Sequence, residues 1–537
     1  MLYSGKTIMH YHFRHKAQGT RQTYTLNLSN NPIWRVFTQK SFISSKLFAK
    51  LFSKKPLALA LLLLPYSLES QALSATTTNT IQGTAPYLTF DGGASHADSV
   101  ISLLSVTLPG NQIINASNDS SSLESPLVLD KLSATFADIK TLVPHGNYPE
   151  ALTDDVIGSN GYWKDDDGDT LRHVNSSKLK IKWQNLYGQD ITNYVKDNLD
   201  KALNGCDAPY QLTLEVEDVS IKTEYGIPSE SDKFTGDRHT YYLYPKMDKP
   251  QFCYAMPNLE YDLHSNDIPY DGAVSSLNDP NGDWNKYRGF YAYNPSNPEV
   301  NFPTTGSHNL FFYLSVAGMK AQDILDTNGR TISAGGVTLT LNAENTLPTG
   351  LVKINLMGPK ESNPSSFIPS TFYLRDKKNR LLYSFRLERW YVAKKGGAGG
   401  YQNAVAFCNN FNGGGYRMTK VLDFTNANRT DGMPDWQNGI ADSTYLRKIS
   451  YKANGYWMGG LFSEWGRMTQ IYYKDSDWEF FRVGDPDWND INLAHYWTSD
   501  QRVNNYVVDN YVVEANSGIV GSRFHSDQSY RVACVTP

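Results

Sequence analysis

Two stretches of the chain gather residue types able to do chemistry. "KDDDGDTL" sets Asp165, Asp167 and Asp169 at alternate positions around Gly168. Hard divalent cations take several oxygens from a tight turn, and this spacing matches the first half of an EF-hand-type calcium loop. Ser176 stands where such a loop places its closing glutamate, so an acidic surface turn is the competing reading. That turn is the favoured reading, and a calcium ion held by Asp165, Asp167 and Asp169 is the alternative carried forward. "NDPNGDW", with Asp279, Asn281 and Asp283, is a weaker version of the pattern and also a good turn sequence.

The second stretch is "YYKDSDWEFFRVGDPDWNDINLAHYW". Carboxylates and amides hydrogen-bond sugar hydroxyls or polar protein groups, while aromatic faces cover apolar surface. Tyr473, Trp478, Asp485, Asp487, Trp488, Asn489 and Asp490 are therefore the candidate ligand-binding residues, and Trp497 is expected in the core. No metalloprotease helix, nucleophile elbow or phosphate-cradling glycine loop occurs. His495 and His525 stand isolated. A binding protein is the expectation. The alternative is a glycan-active enzyme using a carboxylate pair, since sequence spacing does not fix distance in space.

Such residues need a frame, and the cysteines bear on it. Cys206, Cys253, Cys408 and Cys534 are the only four in the 537-residue chain, and no C-x-x-C occurs. Four cysteines allow three connectivities. Sequential pairing by domain, Cys206–Cys253 and Cys408–Cys534, is the favoured one. All four follow "KLFAKLFSKKPLALALLLLPYSLESQALSA", whose basic stretch, apolar run Leu57–Leu64 and small residues have the order of a secretory signal. Residues 1–75 are read as that signal with an extended leader, so the mature chain is expected to be exported into an oxidising compartment, where disulfides are the default. The apolar run is too short to span a bilayer, and no integral span is expected in the mature chain.

Charge narrows the partners. Residues 1–75 hold ten Lys or Arg and one acid, leaving 40 basic and 53 acidic residues, a net −13, in the rest. A body that acidic is a poor match for nucleic acid. Aromatics reach 13%, with 35 Tyr and 11 Trp, which suits β-rich folds with adhesive surfaces.

Along the chain, 76–125 is a Ser/Thr/Asn-rich, loosely ordered lead-in with one strand expected at Val100–Leu108. From 126 to 378 strand-like runs recur between turn signals, among them "YQLTLEVEDVSI", "HTYYLYPKM", "NLFFYLSVAG", "GGVTLTLNAEN" and "GLVKINLMG". One helix is expected in "QDITNYVKDNLDKALNG", closed by Gly205. Residues 379–537 differ. "LLYSFRLERWYVA" reads as a strand, "YQNAVAFCNNF" as an amphipathic helix, and "GYRMTKVLDFTNAN" as a strand turning into a second helix. After loops, "AHYWTSDQ", "NNYVVDNYVVEA" and "QSYRVACV" read as closing strands. The expected class is mainly β with some α: a β-rich, sandwich-like domain followed by an α+β module.

That order of elements, with "AVAFCNNFNGGGYRMTKVLDFTNA", "GGLFSEWG", "YWTSDQ" and "YRVACV", resembles the C-type lectin-like module at the tip of enterobacterial adhesins related to invasin and intimin. "TYYLYPKMDKPQFCYAMPNLEYD" and "NFPTTGSHNLFFYL" resemble the large domain preceding it. The resemblance implies a bridge Cys408–Cys534 closing the module, an exported Gram-negative surface or extracellular protein, and a host surface protein or glycan as partner. Two features depart from the family. Neither an outer-membrane barrel nor immunoglobulin-like repeats are legible ahead of these domains. Trp488-Asn489-Asp490 lacks the proline tripeptide that accompanies such a triplet in calcium-dependent lectins.

Overall fold

The computed structural model describes residues 83–537 apart from 176, 258–283, 286–287, 345–349, 397–398, 430–435, 441–451, 454–455, 458–459, 467, 469–472, 474, 479–494, 504–507, 516 and 524–529. The described chain is dominated by β-strands with a few short helices. No described helix is long and apolar enough to cross a membrane.

Strict alternation builds the first core. In Lys178–Gln184 the apolar Leu179, Ile181 and Trp183 turn inward while the three lysines face outward. Tyr210–Val216 pairs antiparallel with this strand on one side and with Asp237–Lys246 on the other. Leu127–Leu132 and Glu150–Leu152 complete five strands, the former running parallel to its neighbour. Leu88, Val100, Leu103 and Leu104 are buried in the same core, and Tyr241 donates its hydroxyl to the Leu104 carbonyl at 2.7 Å. Residues 83–125 are therefore not a loose lead-in. Their scattered apolar side chains cap the sheet, and Ile101–Leu104 forms a 3-10 turn, leaving only Val106–Leu108 of the expected strand.

The helix expected around residues 189–205 is shorter, Thr192–Asp197. Asn198 ends it by turning its side-chain amide back to the Tyr194 carbonyl at 2.9 Å. The Lys201 N–H then closes a turn onto the Asn198 carbonyl at 3.0 Å, and the carbonyls of Leu199 and Lys201 accept from Ala137 and Phe136.

A second core begins after Met247. Its sheet has seven antiparallel strands, ordered Trp284–Asn285, Gly289–Phe290, Gln251–Met256, Phe311–Ala317, Gly350–Met357, Val337–Glu344 and Thr331–Ala334. The hairpin Ser370–Arg375/Leu381–Leu387 packs on it, with Phe385 edge-on to Phe312. This core does not stop at residue 378. It runs through Trp390, Phe407, Phe424, Trp465 and Trp497 to Val535 as one contiguous cluster. The described chain has one large apolar core from Leu88 to Leu243, another from Ala255 to Val535, and a small cluster around Cys206 and Cys253.

In the terminal part, helix Tyr401–Asn409 carries Cys408, which bridges to Cys534 in strand Ala533–Val535. The other bridge joins Cys206 to Cys253. Pairing is sequential, and the first bridge joins the turn Gly205–Asp207 to strand Gln251–Met256.

Candidate functional site

The terminal module is built on a sheet that it does not complete itself. Strand Arg389–Ala393 pairs antiparallel with Ala533–Val535, which pairs in turn with Arg417–Met418. The outer place beside Arg389–Ala393 is taken, in parallel, by Thr305–Ser307 from the upstream sheet region. A three-stranded sheet, His495–Val503, Val508–Glu514 and Val520–Arg523, and a short hairpin, Lys452–Ala453 with Tyr456–Trp457, add to this frame.

Two buried carboxylates lock this frame. Helix Gly460–Trp465 is buried from Leu461 to Trp465, and its Glu464 is 1% exposed. The Glu464 carboxylate accepts the Thr304 N–H at 3.0 Å and the Thr305 N–H at 2.8 Å. It also accepts both threonine hydroxyls. Burial pushes its carboxyl above the ordinary range, and these donors work against that shift. Trp465 Nε1 donates to the Thr305 carbonyl at 3.0 Å, and Trp478 Nε1 donates to Ser307 Oγ at 3.0 Å. Asp423 is the second lock. It meets Arg417 at 2.6 and 3.0 Å and Arg389 at 3.0 Å, and accepts the Lys420 N–H at 2.7 Å. This charge-assisted pairing raises the Arg417 pKa further above its ordinary value.

The candidate ligand-binding residues separate into two groups. Tyr473 and Trp478 are fully buried, which corrects their assignment to a recognition surface. Tyr473 donates its hydroxyl to the Trp465 carbonyl at 2.6 Å, and Trp478 packs against Phe424, Phe462 and Tyr496. Aromatic content alone cannot separate a core ring from an anchoring one, because both bury the same face. Trp497 is core as expected, its Nε1 donating to Gly399 at 3.2 Å. Asp485, Asp487, Trp488, Asn489 and Asp490 lie outside the described residues, as do Asp279, Asn281 and Asp283. The segment that holds the former group follows buried Trp478 and precedes buried His495, so both its neighbours are fixed in the core.

The aspartates singled out as calcium candidates form a hydrogen-bonded turn. Asp165 Oδ1 accepts the Asp167 N–H at 2.9 Å, closing a turn in which Gly168 has φ +81°. Asp167 Oδ2 is spent on Thr84, accepting its N–H and, at 3.1 Å, its hydroxyl. Asp166 accepts the Tyr87 hydroxyl at 3.0 Å. Burial pushes the Asp169 carboxyl up, and the charges of Asp165 and Asp167 add to that. Among the described residues no three His, Cys, Asp or Glu side chains gather as a metal site requires. Asp166 and Asp167 tie the incoming chain to the turn.

Glu464, Asp423 and their partners were missed by the sequence reading. A lone glutamate inside the apolar "GGLFSEWG" was the available signal for Glu464, since a buried acid implies dedicated donors.

No family profile matches the chain, and no curated protein matches it. Two solved structures are similar. The crystal structure of invasin, a bacterial integrin-binding protein, is 12% identical over 62% of this chain and 45% of that chain, with a TM-score of 0.27. The match thus spans less than half of invasin. The C-terminal 282-residue fragment of intimin, solved in complex with the intimin-binding domain of the translocated intimin receptor, is 11% identical over 62% of this chain and 94% of that fragment, with a TM-score of 0.24.

Proposed function

We propose that this chain is an adhesin-like protein, exported to the surface or surroundings of a Gram-negative bacterium, whose terminal module at 379–537 binds a host surface protein or glycan. In this reading the protein works by binding and is not an enzyme. Its lectin-like module is presented by the upstream β domain, and the Asp485–Asp490 region supplies the contacts. The observation that supports this most is the way the module is held. A strand from residues 305–307 completes its sheet, Glu464 and Asp423 are saturated with donors, and Cys408–Cys534 staples its last strand to its first helix. Loops on a frame that does not yield keep their shape when they meet a partner, so less of the contact energy goes into ordering them.

The test is attachment of the purified exported chain to host cells, run beside a glycan array. Saturable cell binding abolished by protease treatment of the cells identifies a protein receptor, and retention on defined glycans identifies a sugar. Release of sugar without retention overturns the binding reading.

A further inference from the structure

The two junctions in this chain are built differently. The upstream sheet and the terminal module share one apolar core, and Thr305–Ser307 from the upstream region joins the terminal sheet. The first core meets the rest through a small cluster of its own: Cys206, Cys253, Tyr254, Ala317 and Leu351, with Tyr187 and Met247 packed against it. Strand Asp237–Lys246 passes to strand Gln251–Met256 through only residues 247–250. Polar contacts cross beside this cluster. Arg288 Nη2 meets Asp207 Oδ1 at 2.5 Å and its guanidinium lies 4.8 Å over the Tyr187 ring. The Gly318 N–H donates to the Tyr244 hydroxyl at 2.8 Å. Cys206 sits in the turn Gly205–Asp207 of the first core and Cys253 in the central region of the second sheet, so the bridge is a covalent tie between two separately cored bodies.

We propose that Cys206–Cys253 is a redox-openable clamp: closed, it fixes the first body against the second, and opened by a dithiol it leaves a hinge at 247–250, while Cys408–Cys534 stays shut. The exchange consumes one dithiol. Its thiolate attacks one sulfur of the bridge to give a mixed disulfide, and its second thiol displaces the remaining cysteine. Two cysteine thiols and the oxidised cyclic disulfide result, with two electrons passed to the protein. Access sets the order. Cys206 and Cys253 are 7% and 8% exposed, whereas Cys408 and Cys534 are 1% and 0% exposed inside the shared core. Opening the first bridge leaves both cores intact. Opening the second exposes the interior of one.

The full exported chain is treated with limiting dithiothreitol and then iodoacetamide, and its peptides are mapped. Cys206 and Cys253 are expected to be alkylated at least about tenfold faster than Cys408 and Cys534, as exchange rates follow access. Small-angle scattering of the same samples should show a larger radius of gyration, and calorimetry should resolve two transitions where the oxidised chain gives one. The Cys206→Ser/Cys253→Ser double variant should reproduce both changes without reductant. Arg288→Ala, which keeps the bridge, should reproduce neither. Equal or reversed alkylation order overturns the proposal, as does an unchanged radius after the first bridge has opened. Opening by Arg288→Ala alone assigns the clamp to the ion pair instead. If the double variant does not fold, the dithiol-treated native chain still decides.

Discussion

The carboxylate of Glu464 accepts the backbone N–H of Thr304 from 160 residues further along the chain, and that of Thr305 from 159. Helix Gly460–Trp465 is thereby fastened to the strand that completes the terminal sheet, and Trp465 and Trp478 donate to the same strand. The upstream domain is part of the module's foundation, not a spacer before it.

Removing that carboxylate should be costly. Glu464→Ala strands two buried N–H groups and two hydroxyls, and leaving buried donors unmade costs about 1–3 kcal/mol for each group. A loss of at least ~3 kcal/mol in denaturant unfolding is expected. Glu464→Gln keeps the volume but turns an amide NH2 toward donors, so it should fall between wild type and alanine. Wild-type stability for both variants would mean that Thr304 and Thr305 find water or other acceptors.

Asp423 makes a comparable case for charge. Its side chain is 4% exposed between Arg389 and Arg417, which are 43% and 37% exposed. Deleting one partner of a buried pair costs about 3–5 kcal/mol, and the solvent access of both arginines places Asp423→Ala at the lower end. Asp423→Asn retains the Lys420 N–H contact and should lose less. Chemical denaturation followed by near-ultraviolet circular dichroism distinguishes them.

Acid should act on the same junction through His308. Burial, then the Lys360 charge, push its pKa below the ordinary value, while Asp477 and the Gly358 carbonyl oppose the shift. The folded state thus binds this proton less readily than the unfolded one. The stability contribution is present above the ordinary histidine value of about 6.5 and is lost as pH falls through the folded value. Asp477 and Glu464 have carboxyls raised by burial and act in the opposite sense at lower pH. The difference between wild type and His308→Gln isolates the histidine. Melting temperature should fall more steeply in wild type from pH 7 toward pH 5, and parallel curves would remove His308 as the cause.

Much of the local architecture was legible. Alternation located strands such as Lys178–Gln184 and Tyr210–Val216, because a half-buried strand must write its two faces into the sequence. Cysteine order led to the observed pairs. Choices made over long range were not legible. Nothing near Thr305 announces that it pairs with Arg389, and nothing in "NASNDSSSLESP" announces the core contributed by Leu103 and Leu104 just before it. Trp478 looks like a binding aromatic for the same reason: its partner Ser307 lies 171 residues away.

The aspartate turn carries its own expectation. Asp167 is occupied by Thr84, so chelation should leave the melting curve unchanged, while Asp167→Ala should lower it whether or not calcium is present. The loss should be about 1 kcal/mol, the net worth of an exposed charge-assisted bond to the incoming chain. A calcium-dependent shift that vanishes in Asp167→Ala would restore the metal.

Recognition is the last test. With Tyr473 and Trp478 assigned to the core, Trp488 is the remaining tryptophan of the candidate stretch, and it stands among Asp485, Asp487, Asn489 and Asp490. An aromatic flanked by acceptors has the composition of an interface anchor, whose truncation costs about 2 kcal/mol or roughly thirtyfold in affinity. Trp488→Ala should weaken cell attachment by that order while leaving thermal unfolding unchanged. Asp485→Asn and Asp490→Asn should change salt dependence more than affinity, because rim charges steer encounter more than they hold it. If Trp488→Ala destabilises the module as a core truncation does, by about 3–5 kcal/mol, it joins Trp478 inside. If it neither unfolds nor weakens attachment, the contact surface belongs to the upstream sheets.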